Sequence, residues 1–563
     1  MKILLIAINA KYIHSNPAVY SLKACAGEYE SDIDIAEFTI NQQPSFILRE
    51  IYEKQPDVAA FSCYIWNREM VGSIISDLHK IMPDADIWAG GPEVSYNAPE
   101  IINEWHLRGV MAGPGEGSFY RLASAYENGK CDSLPRILDE SNTERLSLNE
   151  IPFWYKDLKN FENRIIYYES SRGCPFSCSY CLSSIDKKMD FRDTRRVCEE
   201  LDFFLERNVP QVKFVDRTFN CKKEHALPIL SHILENDNGV TNFHFEAAAD
   251  LLDEDYFALL KKMRPGAVQL EIGVQSTCPK TISEINRKMD FAKVSSAVKL
   301  ISSWNNIHIH LDLIAGLPFE DLETFRASFN DVYSLVPQQL QLGFLKVLKG
   351  SDMEMRAKQY NLIYTSMPPY EVLSTKWLSY EDVCRLKQIE EVLEIYYNSG
   401  QFVNTLEFLQ GYFDTPYDMY DAAAKWYREN GLFGVQSSRI KKYENLFEFG
   451  ETFITDNRQI LLFREYLTYD LYLRENVKNR PSFALPSESE KSAVHDILHK
   501  ESENHEIFPK LSACNYRELT KTLHVEVFEH IFEKPSAVLF CYQRRDPVTG
   551  NCVVHNEMLG RFC

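Results

Sequence analysis

The chain has 563 residues, of which 45% are hydrophobic and 25% are charged, as in ordinary globular proteins. One hydrophobic core rarely serves so long a chain, so we expect about three domains. No apolar run is long enough to span a bilayer, and the 81 acidic against 61 basic residues give a formal charge of −20. Such a charge opposes phosphate backbones, which disfavours broad nucleic-acid binding.

The beginning of the chain is apolar, but it leads quickly into Asn9 and Lys11. The segment Met1–Ile8 therefore predicts a buried first strand and not a signal peptide. With 14 cysteines and no secretory leader expected, we predict that the protein works in the reducing cytoplasm.

Strand-like and helix-like segments alternate over residues 1–140, the first predicted domain. The predicted strands are Ile3–Ile8, Val58–Ser62, Asp86–Ala89 and Gly109–Ala112, with helical patterns such as Arg49–Lys54 and Val71–Ile81 between them. This alternation predicts an α/β domain with a doubly wound, Rossmann-like parallel sheet that binds a ligand at the carboxyl ends of its strands. A dinucleotide is a weak candidate, because its glycine fingerprint would follow the first strand.

Three cysteines, Cys174, Cys178 and Cys181, follow the spacing C-x3-C-x2-C. A thiolate triad this tight suits an iron–sulfur centre. A zinc site completed by a distant histidine, or unpaired core thiols, are the alternatives, although no second C-x2-C pair occurs in the chain. If the centre is a four-iron cluster, three ligands leave one iron with an open position that can bind a small molecule.

Residues 155–355 repeat a strand–helix unit. The predicted strands are Arg164–Ser170, Val212–Val215, Asn242–Ala247, Ala267–Val274, Ile307–Ile314 and Gln339–Val347, with helices such as Arg195–Arg207 and Thr324–Leu335 between them. Six such units predict a partial TIM-like barrel, with the chemistry at the carboxyl ends of the strands.

The order of these motifs resembles that of radical S-adenosylmethionine (SAM) enzymes. The resemblance implies that Cys174, Cys178 and Cys181 hold a 4Fe-4S cluster, which passes one electron to SAM and so generates a 5′-deoxyadenosyl radical. It also implies SAM contacts, with Tyr180 shielding the SAM side of the loop; the expected residues are Tyr180, Asp216, Arg217, Glu246, Gln275, Ser276, Gly316 and Leu317. Structural pairing of Asp216 and Arg217, and helix capping by Gln275 and Ser276, are the alternatives.

The first domain resembles the cobalamin-binding domain that precedes many radical SAM barrels, through its turns at Gly90-Gly91-Pro92 and Gly115-Glu116-Gly117. The resemblance implies a cobalamin site; its expected residues are Ser62, Gly90, Gly91, Glu93, Gly115 and Glu116. In the wider cobalamin family a D-x-H-x-x-G loop supplies a histidine to cobalt. His14 lies in the corresponding loop, but Asp and Gly are missing, so we expect no lower histidine ligand and keep His14 as the alternative.

Several other side chains could be functional, but a structural role in packing or at the surface explains them more simply. His308 and His310 alternate on one strand, and we expect core or rim positions and not metal ligands. Met263 and Met289 are expected to be packing residues. The basic residues after the cysteine loop are expected to form a solvated helix face, with a local basic patch as the alternative; they are Lys187, Lys188, Arg192, Arg195 and Arg196.

The third predicted domain, residues 365–563, begins near Met367-Pro368-Pro369 and has a mostly helical pattern. One helical stripe, closed by Gly400, contains Leu386, Ile389, Val392, Leu393 and Tyr396. The polar segment Ser487–Lys500 predicts an exposed helix, and Cys541, Cys552 and Cys563 are expected to be unpaired thiols. From its position in the chain alone, we expect this domain to close over the mouth of the barrel.

Together these features predict a cobalamin-dependent radical SAM enzyme that methylates an unactivated carbon. A rearrangement or cyclisation without methyl transfer is the second hypothesis, and a cobalamin- or redox-sensing binding protein is the third. We expect a small-molecule or peptide substrate, an electron donor such as flavodoxin or ferredoxin, and neither membrane nor nucleic acid as a partner.

Overall fold

The computed structural model describes residues 1–485, 490–511 and 515–558. Cys563 lies outside the described residues, as do residues 487–489 at the start of the predicted helix Ser487–Lys500. No helix in the described part of the chain combines the length and apolar character that crossing a bilayer would require.

The first domain is built on a parallel sheet. Its strands are β1 (Ile3–Asn9), β2 (Ile33–Thr39), β3 (Val58–Ser62), β4 (Asp86–Gly90), β5 (Gly109–Met111) and β6 (Ile137–Leu138). Its helices are α1 (Pro17–Cys25), α2 (Pro44–Lys54), α3 (Arg68–Ile81), α4 (Pro92–Ser95), α5 (Ala98–Glu104) and α6 (Glu116–Glu127). The strand order β2-β1-β3-β4-β5-β6 reverses its direction between β1 and β3, which is where such sheets bind ligands.

Strand β1 explains why helices cover both faces of this sheet. Every one of its residues is buried. Leu4, Ile6 and Ile8 pack into one hydrophobic core, and Ile3, Leu5 and Ala7 pack into another. Because successive side chains of a strand point to opposite faces, a continuous apolar run requires cover on both sides. The doubly wound fold predicted for this domain is therefore confirmed, whereas β2 and β6 were not predicted.

The second domain is an open parallel barrel. Its strands are β7 (Ile166–Tyr168), β8 (Ser171–Arg172), β9 (Asp190–Phe191), β10 (Gln211–Phe214), β11 (Asn242–Glu246), β12 (Val268–Gln275), β13 (Ile307–Ala315) and β14 (Gln339–Phe344). Its helices are α7 (Thr194–Glu206), α8 (Lys223–Glu235), α9 (Glu254–Leu260), α10 (Pro279–Glu284), α11 (Phe291–Ser302), α12 (Leu322–Tyr333) and α13 (Asp352–Arg356). The barrel order is β14-β13-β12-β11-β10-β7, so the predicted partial barrel is confirmed.

The register of the barrel strands separates an apolar outer face from a polar inner one. The outward residues Val212, Phe243 and Val268 are aligned on neighbouring strands and are buried in one core. The next level aligns polar side chains, with Lys213 beside His244. Helices therefore pack on the outside, and ionisable groups are left to face the interior.

The third domain combines helices with a small sheet. Its helices are α14 (Tyr380–Tyr396), α15 (Val403–Gln410), α16 (Pro416–Glu429), α17 (Arg439–Glu451), α18 (Asn457–Arg474), α19 (Glu490–Asn504) and α20 (Tyr516–Thr522). Its strands are β15 (Ile363–Tyr364), β16 (Val372–Ser374), β17 (Leu523–Phe528), β18 (Ser536–Arg545) and β19 (Cys552–Met558). The helical prediction and the buried stripe on α14 are confirmed, whereas the antiparallel sheet β17-β18-β19 was not predicted. Cys541 and Cys552 are free thiols, as expected.

The third domain contacts the barrel at both ends, and its closure over the mouth stays a prediction. Its segment β16 packs beside Gly316 near the carboxyl end of β13. The turn between β18 and β19 instead reaches the amino-terminal end of the barrel. There a β-carbon on Gly266 would lie 2.7 Å from that of Pro547, and the ring of His308 lies close to the Val548 backbone.

Candidate functional site

The cysteine loop leaves the barrel between the paired segments β8 and β9. Gly173 precedes the first cysteine at φ 92°, and a β-carbon there would lie 2.6 Å from the Lys188 carbonyl oxygen. Only glycine fits this backbone conformation at this distance without strain. Cys174 and Cys178 are buried and Cys181 is half-buried, so the short strand pair presents three thiols at the carboxyl end of β7.

Three cysteines in one short loop suit an iron–sulfur cluster, whose cysteine ligands bind different iron atoms. A structural zinc ion usually takes four protein ligands, whereas this loop offers three thiols.

A cavity of about 220 Å³ adjoins the three thiols. The polar or aromatic side chains that line it with the cysteines include Tyr180, Arg217, Glu246, Gln275, Arg287 and Asp312. Tyr180, Arg217, Glu246 and Gln275 were predicted to contact SAM, and the structure brings all of them to the same cavity as the cysteines.

Two of these predicted side chains have polar groups suited to a ligand. Burial raises the pKa of the Glu246 carboxyl to about 7, with only partial compensation from the positive charge of Arg217. Gln275 adopts φ 73°, and its buried side-chain oxygen accepts no hydrogen bond from the described residues. Buried polar groups in folded proteins are nearly always paired, so both groups are suited to pairing with a bound molecule.

Arg287 and Asp312 were missed by the sequence analysis. The Arg287 guanidinium donates to the Gly273 carbonyl oxygen and to Tyr180 Oη at 3.2 Å, and it lies 3.8 Å from Cys178 Sγ. Asp312 is two residues after His310 on β13, so the same alternation that predicted a shared face for His308 and His310 would have found it. Arg287 follows α10 in a loop without a recognisable pattern.

Asp216 does not contact the cavity, contrary to the prediction. Its carboxylate is fully buried and accepts hydrogen bonds from the Ser170 backbone at 2.8 Å, the Ser170 hydroxyl at 2.6 Å and the Ser171 hydroxyl at 2.5 Å. Both oxygens are therefore engaged by the residues that lead into the cysteine loop. Asp216 thus stabilises the segment that precedes the cysteine loop, and the neighbouring Arg217 lines the cavity.

Ser276, Gly316 and Leu317 also lie outside the cavity lining. The Ser276 hydroxyl donates to Glu320 Oε1 at 2.5 Å. The side chain of Leu317 is buried in a separate hydrophobic core, and a β-carbon on Gly316 would lie 2.7 Å from a Val372 methyl carbon. The contacts of these three residues with SAM therefore stay predictions, although tertiary neighbours surround the side chains of Ser276 and Leu317.

Glu320 gives a stability prediction. Burial raises the pKa of its carboxyl from 4.5 to about 8. Unfolding therefore releases a proton between these pH values, and the folded state loses stability as pH rises through the window. We expect Glu320→Gln to raise the midpoint of thermal unfolding by roughly 2–5 °C at about pH 8 and by less at about pH 5. The exposed Glu323→Gln is the control, and an equal gain at both pH values would contradict the assignment.

Three ionisable side chains have the spacing of a metal site: the ligand atoms of Glu271, His310 and Asp312 lie within 4.8 Å of one another. Glu271 and Asp312 also line the cavity. Glu271 Oε2 accepts hydrogen bonds from the Lys213 ammonium at 3.1 Å and from His244 Nε2 at 2.9 Å. The lysine therefore supplies positive charge beside Glu271, and the expectation that His310 is not a metal ligand stays a prediction.

A cleft of about 650 Å³ lies at the carboxyl edge of the first sheet. Its apolar lining includes Leu5, Val19, Leu22, Ala60 and Met111. Gly91 has φ 108°, and a β-carbon there would lie 2.4 Å from the Cys63 carbonyl oxygen. Glycine is therefore required for this turn, which leaves room for a large ligand.

Most of the residues predicted to bind cobalamin line this cleft. They are Ser62, Gly90, Gly91, Gly115 and Glu116. Glu93 does not line it: its side chain is buried and accepts a hydrogen bond from Tyr370 Oη at 2.8 Å. The third domain thus engages the Glu93 carboxylate, and the contact of Glu93 with cobalamin stays a prediction.

A second cleft of about 580 Å³ lies between the first sheet and the barrel. Tyr64 and Trp66 stack on its wall with ring centroids 4.5 Å apart. His14 lines this second cleft and is 2.6 Å from Tyr167 Oη through Nδ1, but it is absent from the lining of the first.

Two arginines connect the clefts. The Arg172 guanidinium donates two hydrogen bonds to the Glu116 carboxylate, at 2.8 and 3.1 Å. These bonds connect the first domain to the barrel. Arg217 and Ser183 line both the second cleft and the cavity beside the cysteines. The second cleft and this cavity therefore meet at these two residues.

The basic residues after the cysteine loop do not form one solvated helix face. Arg192 is buried, and its guanidinium pairs with Glu200 at 2.7 Å, while Arg196 reaches the same carboxylate at 3.0 Å. Arg195 remains exposed on α7. Lys187 and Lys188 are exposed on the loop before β9 and not on a helix.

Comparison with known families identifies each of the three domains. The B12 binding domain matches residues 3–123, the Radical SAM superfamily matches residues 168–332, and Protein of unknown function (DUF4080) matches residues 358–540. The first two matches contain the predicted cobalamin-site residues and the cysteine loop, respectively.

Curated relatives match the chain at low identity. The cobalamin-dependent radical SAM methyltransferase TokK of Streptomyces tokunonensis is 23% identical over 333 residues, covering 53% of this chain and 48% of that protein. The anaerobic magnesium-protoporphyrin IX monomethyl ester cyclase of Rubrivivax gelatinosus is 20% identical over 333 residues, covering 54% of this chain and 59% of that protein. The chain thus spans about half the length of the curated relatives it matches.

A solved structure shares the fold. The cobalamin-dependent S-adenosylmethionine radical enzyme OxsB, with aqua-cobalamin bound, has a TM-score of 0.56 and 13% identity, covering 84% of this chain and 80% of that one. Together with the domain matches, this likeness agrees with the architecture predicted from the motifs. The chain therefore contains a B12 binding domain, a Radical SAM superfamily domain and a DUF4080 domain, and it is homologous to cobalamin-dependent radical SAM methyltransferases.

Proposed function

We propose that the protein is a cobalamin-dependent radical SAM enzyme that methylates an unactivated carbon of its substrate. The observation that carries the proposal is the meeting of two spaces at Arg217: the cavity beside Cys174, Cys178 and Cys181, and the cleft that faces the B12 binding domain. In such an assembly the cluster supplies the electron that cleaves SAM, and cobalamin carries the methyl group.

On this proposal the cysteines hold the cluster, and the other cavity residues hold SAM. Arg217 and Arg287 offer guanidinium groups to its carboxylate. Glu246 and Asp312 offer acceptors to its ammonium or hydroxyl groups, and Gln275 offers an unpaired amide oxygen. The Arg287 guanidinium contacts both Tyr180 Oη and Cys178 Sγ. These contacts fix the side chains on the side of the cavity nearest to the cluster.

The first cleft suits the nucleotide tail of cobalamin, because it combines an apolar floor with glycine turns and has several hundred Å³ of space. Among the described residues its lining contains no histidine. His14 lines the second cleft, where its Nδ1 lies 2.6 Å from Tyr167 Oη, and the absence of a lower histidine ligand to cobalt stays a prediction.

The methyl transfer is tested with SAM that carries a deuterated methyl group. Anaerobic protein, reconstituted with iron, sulfide and cobalamin and then reduced, is expected to yield cobalamin that carries the label on extraction. It is also expected to form 5′-deoxyadenosine. Protein that retains iron but binds no cobalamin would contradict the proposal.

A rearrangement or cyclisation is the second candidate, and it is favoured by the similarity to the cyclase of Rubrivivax gelatinosus. The same experiment separates the two, since this alternative predicts 5′-deoxyadenosine without labelled cobalamin. A sensing protein predicts neither product. Because the described cysteines are all free thiols, we also propose that the enzyme works in a reducing cytoplasm.

A further inference from the structure

The cysteine loop is held at its two ends by a very short strand pair. It begins after β8 (Ser171–Arg172) and returns at β9 (Asp190–Phe191), and each of these strands has two residues. The pairing joins Ser171 with Phe191 and Arg172 with Asp190. Even a longer isolated pair of strands is marginally stable in water, so the position of the loop depends on contacts outside this pair.

His225, near the beginning of α8, contacts both ends of the loop. Its Nε2 lies 3.0 Å from Oγ of Ser170, the residue before β8. Its ring packs against the ring of Phe191 on β9, with the two centroids 5.0 Å apart. The side chain is buried. One imidazole therefore connects the strand that enters the cysteine loop with the strand that leaves it.

The other partner of Ser170 sets the direction of this hydrogen bond. The Ser170 hydroxyl donates its only proton to Asp216 Oδ2 at 2.6 Å, so its oxygen is an acceptor towards His225. Burial, together with the nearby charge of Lys222, lowers the pKa of His225 to about 4, so the ring is neutral at neutral pH. A neutral ring carries one N–H, which here lies on Nε2. The hydrogen bonds thus run in one direction, from His225 through Ser170 to Asp216.

We propose that His225 is a positioning residue for the reaction at the cysteine loop. Its Nε2–H bond fixes Ser170, and with it the strand that leads to Cys174, so that the three cysteines hold the cluster in one orientation towards SAM. His225 does not line the cavity, so it acts through the loop and not by contact with SAM. The inference rests on the proposed function, because it needs a cluster in the loop. A misplacement of about 1 Å can slow a reaction by about 100-fold, even when the altered residue lies far from the chemistry.

Two substitutions separate the hydrogen bond of His225 from the packing of its ring. His225→Phe keeps an aromatic ring against Phe191 but has no N–H to donate, whereas His225→Gln keeps a side-chain N–H and loses the ring. His232→Phe is the control, because His232 lies on the same helix and its Nε2 is 2.7 Å from Asp202 on α7. All four proteins, wild type included, are reconstituted with iron, sulfide and cobalamin and reduced with dithionite before SAM is added.

The first quantity measured is the rate of 5′-deoxyadenosine formation per cluster. We expect His225→Phe to be at least about tenfold slower than wild type, His225→Gln to stay within about threefold and His232→Phe within about twofold. The electron paramagnetic resonance spectrum of His225→Phe with SAM should be broader than that of wild type, because the cysteines then hold the cluster in more than one orientation.

Hydrogen exchange of the cluster-free proteins gives a readout that does not depend on activity. Backbone amides of residues 170–192 should exchange at least about threefold faster in His225→Phe than in wild type, and at the wild-type rate in His232→Phe. If His225→Phe takes up no cluster, Ser170→Ala, which removes the acceptor, replaces it with the same expectations.

Because the rate is divided by the cluster content, a variant that only reconstitutes poorly keeps the wild-type rate and contradicts the proposal. Equal losses in His225→Phe and His225→Gln would assign the effect to ring packing and would also overturn it. Either result spares the proposed function. Wild-type protein that forms a cluster but no 5′-deoxyadenosine would overturn the proposed function, and the positioning role with it.

Discussion

Cys178→Ala is expected to abolish SAM cleavage. Cys178 is buried beside Arg287 and is one of only three thiols that the loop offers. Two cysteines cannot replace a three-point attachment, so we expect the variant to lose most of its iron after anaerobic reconstitution. The yield of 5′-deoxyadenosine, measured by chromatography after reduction, should fall by a factor of roughly 100 or more.

Cys198→Ala is the matched control for this prediction. Cys198 is a half-buried free thiol on α7, outside the cysteine loop and the cavity lining. Its replacement should leave both iron content and 5′-deoxyadenosine yield within about twofold of wild type. Equal losses in both variants, or an active Cys178→Ala protein, would refute the assignment of the loop as the cluster site.

Ala18→Trp is expected to prevent cobalamin binding without removing the cluster. Ala18 lines the first cleft and also the cleft that faces the barrel. An indole side chain at this point would occupy space that both clefts share. We expect the cobalamin retained after gel filtration to fall at least about tenfold, as measured by absorbance, with iron unchanged.

Ala24→Trp tests whether this loss is specific. Ala24 lies on the same helix, α1, but borders a different surface groove, near Lys23 and Glu30. The same substitution there should preserve cobalamin binding. If both variants lose cobalamin alike, the effect is one of folding; if Ala18→Trp binds normally, cobalamin does not use these clefts.

Local sequence patterns predicted three features: the cysteine site, the buried first strand and the barrel. The spacing of Cys174, Cys178 and Cys181 predicted a shared site, because loop residues so close in sequence must stay close in space. The uninterrupted apolar run of β1 predicted a strand buried on both faces, and the order of strands and turns predicted the barrel.

The hydrogen-bond partners of several predicted site residues could not be predicted from the sequence, because these partners lie far away along the chain. Asp216 and Ser276 follow barrel strands, as ligand-binding residues do, but the hydroxyl of Ser170 and the carboxyl of Glu320 engage them instead. Glu93 follows a glycine turn and pairs with Tyr370, 277 residues further on. The periodicity of a sequence does not predict pairs so far apart. Arg287 was missed for the same reason, because its contacts with Tyr180 and Cys178 are also distant in sequence.

The third domain illustrates a related limit. Its helical stripe on α14 was readable from periodicity, whereas the packing of its last strands depends on contacts with the barrel. Position in the chain predicted a contact at the barrel mouth, but it gave no indication that the turn containing Pro547 and Val548 would meet Gly266 and His308 at the opposite end.

Electron paramagnetic resonance of the reduced, reconstituted protein, recorded before and after addition of SAM, tests the central claim most directly. If three cysteines leave one iron open to SAM, the spectrum will be that of a reduced four-iron cluster, and its g values will shift when SAM binds. A spectrum that SAM leaves unchanged, or a silent sample that contains zinc instead of iron, would contradict the account.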